Sequence, residues 1–123
     1  MNITSAESAV MDVLWRLGPT DADRVTEVLS QSAQWSRATV RTLLQRLVDK
    51  GAVSRGKGAG GLLIFTPLLA REAYVLSESE GLVDRLFGGR FGPLAAQFAE
   101  QGKLTEEDIA ELKAIIARIE DGR

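Results

Sequence analysis

At 123 residues the chain has the length of one domain, or of a small domain with an appendage, which excludes a large multidomain enzyme. Its apolar fraction of 45%, charged fraction of 26% and formal net charge of -2 are those of a soluble globular protein. It holds no cysteine and no histidine, so disulfides, thiolate metal sites, cysteine nucleophiles and the commonest base at neutral pH are all ruled out.

The pattern opens with a helix. Thr4 with Glu7 three residues on has capping-box spacing, and Ala6, Val10, Val13, Leu14 and Leu17 follow at helical intervals until "LGPT" stops them. A weaker start signal at Thr20 to Asp23 introduces a short second helix with Ala22, Val25, Val28 and Leu29 inward, ending in the polar "SQSAQ". Ser36 caps a third helix, whose Val40, Leu43, Leu44, Leu47 and Val48 repeat at i, i+3, i+4, i+7 and i+8 until Gly51. Next, "AVSR" and "LLIFT" are short β-prone runs around the glycine-dense "GKGAGG", a hairpin closed by Pro67. Three helices and then a hairpin is the order of a winged helix-turn-helix. Beyond it, "AREAYVLSESEGLVDRLF" is helical in part, "GGRFG" is a joint, and "PLAAQFAEQ" is a short helix with Pro93 at its start. Thr105 caps a last helix with acids in its first turn and an apolar stripe of Ile109, Leu112, Ile115, Ile116 and Ile119. The expected fold is mainly α: a winged helix over residues 1–69, then a helical dimerisation region over 70–123.

Charge divides the same way. Residues up to Leu69 carry eight Lys and Arg against six acids, while the remainder carries seven against eleven. The concentration is sharpest from Trp35 to Gly58, where Arg37, Arg41, Arg46, Lys50, Arg55 and Lys57 face a single acid, Asp49. On a helical projection Val40, Leu43, Leu44 and Leu47 converge on one side of the third helix. Ala38, Thr42, Gln45 and Asp49 lie opposite, flanked by Arg41 and Arg46. Such a helix, seated on two others by its apolar side, fits a DNA major groove of roughly 12 Å width. Ala38, Thr39 and Thr42 keep its surface slim. Arg37, Arg41 and Arg46 reach guanine edges or phosphates, Gln45 suits adenine, and a threonine methyl suits thymine. Arg55 and Lys57, at the base and tip of the hairpin, are placed for backbone phosphates. A basic outer face is ordinarily just solvated surface. Here it lies on the third helix of a triplet and continues into a glycine-rich hairpin, and that combination favours double-stranded DNA.

Other motifs carry less. Gly56, Gly58 and Gly61 satisfy G-x-G-x-x-G, but a β-prone run follows where dinucleotide binding needs a helix, so no cofactor is assigned. The acids of "SESE", Ser77 to Glu80, read as a solvated helix face and not a cation site. Trp15 and Trp35 read as packing residues. No catalytic or metal-binding residue is assigned. The longest apolar stretch, "LLIFTPLLA", is broken by Thr66 and Pro67, and the N-terminus lacks the basic and apolar regions of a secretory signal. Both point to a cytoplasmic protein without membrane contact.

Several blocks together resemble the penicillinase and methicillin-resistance repressors, the BlaI/MecI family of bacterial winged-helix proteins. They are "AVMDVLW" (Ala9 to Trp15), "WSRATVRTLLQRLVDKGAV" (Trp35 to Val53), "FTPL" (Phe65 to Leu68), "LFGG" (Leu86 to Gly89) and the final "LTEEDIAELKAII". The resemblance implies a homodimer that blocks transcription from an inverted-repeat operator, its third helix in the major groove and its C-terminal helices interlocked. Resistance-type members are inactivated when a membrane-bound metalloprotease receptor triggers cleavage before a phenylalanine, usually after asparagine. The corresponding pair here is Gln97 and Phe98, a departure at the first position, and a sensor protease is the implied partner. Copper-responsive relatives carry a C-terminal cysteine cluster that this chain lacks.

The apolar residues of the tail, Leu82, Val83, Leu86, Phe87 and Phe98 with the stripe from Ile109 to Ile119, exceed what a short helical appendage needs. They call for a second chain, whose burial yields about 25 cal/mol per Å² of apolar area; folding back onto the winged helix is the alternative. Other classes stay open from residues alone: a winged helix used as a protein-docking module, a small-ligand-responsive regulator of another winged-helix family, or an enzyme built on carboxylates, Lys or Tyr74.

Overall fold

The computed structural model of the chain describes residues 1–122. It consists of two compact units that divide between Val75 and Leu76.

In the first unit α1 (Ser5–Leu17), α2 (Ala22–Leu29) and α3 (Arg37–Lys50) precede an antiparallel hairpin of β1 (Val53–Lys57) and β2 (Leu63–Pro67). This is a winged helix-turn-helix. The Thr4 hydroxyl accepts from the Glu7 amide while the Glu7 carboxylate accepts from the Thr4 amide, so the capping box closes from both sides and starts α1. Its inner face is Val10, Met11, Val13 and Leu14. Leu17, expected in that stripe, is 40% exposed, because the chain turns away at Gly18 before another element can cover it. The start of α2 also differs from expectation. Asp21 is its cap, accepting from the Arg24 amide, whereas Thr20 exchanges two backbone hydrogen bonds with Phe65 and ties the α1–α2 connection to the hairpin.

Ser36 caps α3, and Gly51, at φ 84°, takes the left-handed conformation that ends it, its amide donating back to Leu47 and Val48. Val40, Leu43, Leu44 and Leu47 are buried among Val10, Met11, Leu14, Val25, Ala52, Val53 and Phe65, which makes α3 the centre of the core. Leu62, expected within the second strand, lies outside β2 and is exposed. Pro67 closes the hairpin opposite Val53, after which the Leu68 and Leu69 amides both donate to the Ala52 carbonyl. Trp15 packs as expected of a structural aromatic: its indole N–H donates to the Leu69 carbonyl at 2.8 Å and its ring lies 5.5 Å from that of Tyr74. Trp35 packs against the same core.

From the first unit into the second runs α4 (Arg71–Phe87), helical throughout where only part was expected. The second unit also holds α5 (Phe91–Glu100), which begins two residues before Pro93, and α6 (Glu106–Asp121), which starts from a capping box between Thr105 and Asp108. Proline is tolerated within the first helical turn because its missing N–H has no partner there. None of these three helices has a buried residue. No helix among the described residues is long and apolar enough to cross a membrane.

Candidate nucleic-acid interface

Burying Val40, Leu43, Leu44 and Leu47 fixes the rotation of α3 and leaves Arg37, Ala38, Thr39, Arg41, Thr42 and Arg46 exposed. Thr42 donates its hydroxyl proton to the Ala38 carbonyl and so presents its methyl group outward. Ala38, Thr39, Thr42, Leu43 and Arg46 line a shallow depression along this face. On β1, Arg55 and Lys57 are both exposed. The two strands are joined by a tight turn in which Gly60 and Gly61 have φ of 68° and 77°, a conformation that requires glycine. A strand follows the G-x-G-x-x-G run, as expected of a hairpin.

The six cations counted in the sequence are not equivalent. Lys50 points away from the exposed face: its ammonium contacts the Glu7 carboxylate at 2.5 Å and the Asn2 carbonyl at 2.7 Å. Arg37 is paired with Asp23 of α2 at 2.6 Å. Arg55 donates to the Gln45 side-chain oxygen at 2.6 Å, and the Gln45 amide nitrogen donates to Asp49 at 2.9 Å. Arg41, Arg46 and Lys57 make no ion pair among the described residues. Ion pairing of Lys50 and Arg37 therefore makes the local electrostatic footprint narrower than the sequence count, and it is centred on Arg41 and Arg46, with Arg55 and Lys57 at the wing.

Sequence reasoning missed the burial of Glu7. It is 1% exposed, and burial by itself pushes its carboxyl pKa up. The Lys50 hydrogen bond, the Thr4 amide and the Lys50 charge outweigh that and hold it below its ordinary 4.5. The spacing of Glu7 and Lys50, 43 residues apart, carried no signal of the pairing.

In the second unit Leu82, Leu86, Phe87, Leu94, Gln97 and Phe98 line an apolar groove of about 500 Å³. Leu86 is 59% exposed, Ile116 53% and Ile119 66%. Leu82, Phe98, Ile109 and Ile115 are exposed as well, while Val83, Phe87 and Leu112 are half-buried. Gln97 and Phe98 lie within α5, and the carbonyls of both accept backbone hydrogen bonds.

The helical triplet, hairpin wing and outward basic third helix define a winged helix-turn-helix of the kind that binds DNA, and the relatives of the chain make it a transcriptional repressor. The chain belongs to the penicillinase repressor family, whose profile matches residues 3–118. It is 32% identical to the penicillinase repressor of Bacillus licheniformis over 114 residues, covering 93% of this chain and 88% of that one. To the methicillin resistance regulatory protein MecI of Staphylococcus aureus it is 29% identical, covering 93% and 92%. Its first unit is similar to the solution structure of the Bacillus licheniformis BlaI monomeric form in complex with the blaP half-operator. That likeness has a TM-score of 0.53 and 34% identity, over 60% of this chain and 89% of that one.

Proposed function

We propose that this protein is a cytoplasmic homodimeric repressor that binds an inverted-repeat operator overlapping a promoter and blocks transcription there. The observation that carries the reading is the pair of unpaired guanidiniums, Arg41 and Arg46, on the exposed face of α3, separated by the slim Ala38 and Thr42. Side chains of that size let the helix backbone approach base edges, and a planar guanidinium bonds guanine O6 and N7 in bidentate fashion. Lys57 on the wing supplies a phosphate contact, which sets register without reading sequence.

The relative seen with a half-operator supports one winged helix per half-site. Two half-sites need two copies, and the second unit offers the joining surface, because its helices bury none of their own residues. Gln97 and Phe98 sit at that surface, so scission between them would divide α5 and dismantle it; this is where a sensor protease would relieve repression.

The test is equilibrium binding of the full chain to duplexes selected from a random pool, over a salt series. Selective binding whose affinity falls linearly with log salt, about 0.9 per phosphate neutralised, supports the reading. Equal affinity for all duplexes, or binding confined to an acidic protein, would replace it with the docking-module alternative.

A further inference from the structure

Gln45 is the residue on α3 whose side chain is engaged at both ends. Its oxygen accepts from Arg55 Nη1 at 2.6 Å and its nitrogen donates to Asp49 Oδ1 at 2.9 Å. These partners have opposite polarity, so they fix which way the amide points: a flipped amide would set NH₂ against guanidinium and oxygen against carboxylate. Bidentate recognition of adenine uses the same two groups, donating to N7 and accepting from N6. Both are already committed.

We propose that Gln45 is a positioning residue, which together with Asp49 holds Arg55 so that the wing is docked on the recognition helix and its guanidinium is presented to a phosphate. This rests on the DNA-binding reading above. Arg55 lies in β1, ten residues from Gln45, opposite Phe65. Val53, two residues earlier in the same strand, is buried, so the strand carrying Arg55 is anchored at its start. The Thr20 bridge secures the hairpin on its β2 side, and the Gln45 bond adds a tie on the β1 side. A guanidinium has five N–H donors, and the bond to Gln45 leaves the rest for a phosphate. Asp49, the one acid in a cationic segment, acquires a reason to be there: it orients the amide, which in turn orients the cation. Arg41 and Arg46, with no such tie, remain the groups that read bases.

The experiment has two arms. In the free protein, guanidinium NMR signals of Arg55 should show restricted rotation, and Gln45→Ala should abolish it. On DNA, Gln45→Ala should lower affinity for the selected duplex and for random duplex alike, by about three- to ten-fold, the worth of one lost hydrogen bond, with base preference unchanged. The double exchange Gln45→Glu with Asp49→Asn reverses the bond between positions 45 and 49 at constant net charge and leaves Arg55 the donor to position 45. The new carboxylate accepts from Arg55 and from the new amide, and affinity should return to within about twofold with the same preferred sequence. The proposal is overturned if Gln45→Ala loses preference at one adenine, if the double exchange selects a different base, or if the Arg55 signals ignore Gln45. Should the intact chain select no duplex at all, the repressor reading fails, while the first arm still decides whether Gln45 holds Arg55.

Discussion

The Lys50 ammonium reaches across from the end of α3 to the buried carboxylate of Glu7, 43 residues earlier in sequence and in the first turn of α1. One glutamate thus closes a capping box and accepts an ion pair, and it clamps the recognition helix to the first helix. Removing Lys50 strands the carboxylate in the core. Lys50→Met should cost about 2 kcal/mol, less than a fully buried pair, because the ammonium is partly reached by water. Denaturant titration at neutral pH measures it. The pH dependence has a definite sign. Glu7 titrates lower in the folded chain than its ordinary 4.5, so the unfolded chain takes up a proton first as pH falls. Its contribution is complete above about pH 4.5 and is lost on acidification through the folded value. Glu7→Gln should therefore be less stable at neutral pH yet flatten the stability curve below pH 4.5. A parallel acid limb in both proteins would refute the role assigned to Glu7.

The open face of the second unit yields a prediction about assembly. Ile116 and Ile119 are half or more exposed on α6, where a charge would meet water in a monomer but an apolar partner in a dimer. The parent chain should sediment as a dimer, and Ile116→Glu combined with Ile119→Glu should sediment as a monomer while leaving the melting of the first unit intact. Truncation after Val75 should do the same; that end point keeps Tyr74 against Trp15. Either change should weaken operator binding by about 10²-fold or more, since two half-site contacts no longer reinforce one another. Wild-type affinity in the monomer would remove the need for two copies.

The proposed interface gives its free cations different work, which mutation can separate. Arg41→Ala should cost about 1–3 kcal/mol of discrimination at one base pair, the worth of a bidentate contact. Lys57→Ala should weaken every duplex equally and reduce the salt slope by about one. Binding of the selected duplex and a scrambled one, each at several salt concentrations, separates the two; matching losses on both duplexes for Arg41→Ala would make it another phosphate contact.

Much of this was legible in the chain because local signals agreed with the tertiary demand. Ser36, the Val40 to Leu47 stripe and Gly51 mark α3 at both ends and on its inner face, and the structure uses all three. The start of α2 was less legible. Thr20 and Asp21 are both competent caps, and what decides between them is the bridge from Thr20 to Phe65, 45 residues away. Long-range pairings also redistributed the charge. No spacing rule links Lys50 to Glu7 or Arg55 to Gln45, so a count of six cations in the sequence does not separate those the fold ties from those it leaves untied.

The turn that precedes the recognition helix carries a strain that a substitution can release. Gln34, between α2 and the Ser36 cap, has φ 53°, the only residue other than glycine with positive φ among those described. A side chain in this left-handed region costs on the order of 1 kcal/mol, because its Cβ crowds the following carbonyl. Glycine removes that crowding but gains freedom in the unfolded chain, which cancels part of the benefit. Gln34 is exposed, and the neighbouring Ser36 cap, which bonds Thr39, does not involve its side chain. Gln34→Gly should therefore stabilise the first unit by about 0.5 kcal/mol, raising its denaturation midpoint with an unchanged slope. Gln34→Val, whose branched Cβ tolerates the conformation least, should destabilise by more than that. If both variants melt like the parent, the turn relaxes out of the left-handed region in solution, and α3 is oriented by its buried face and the Ser36 cap alone.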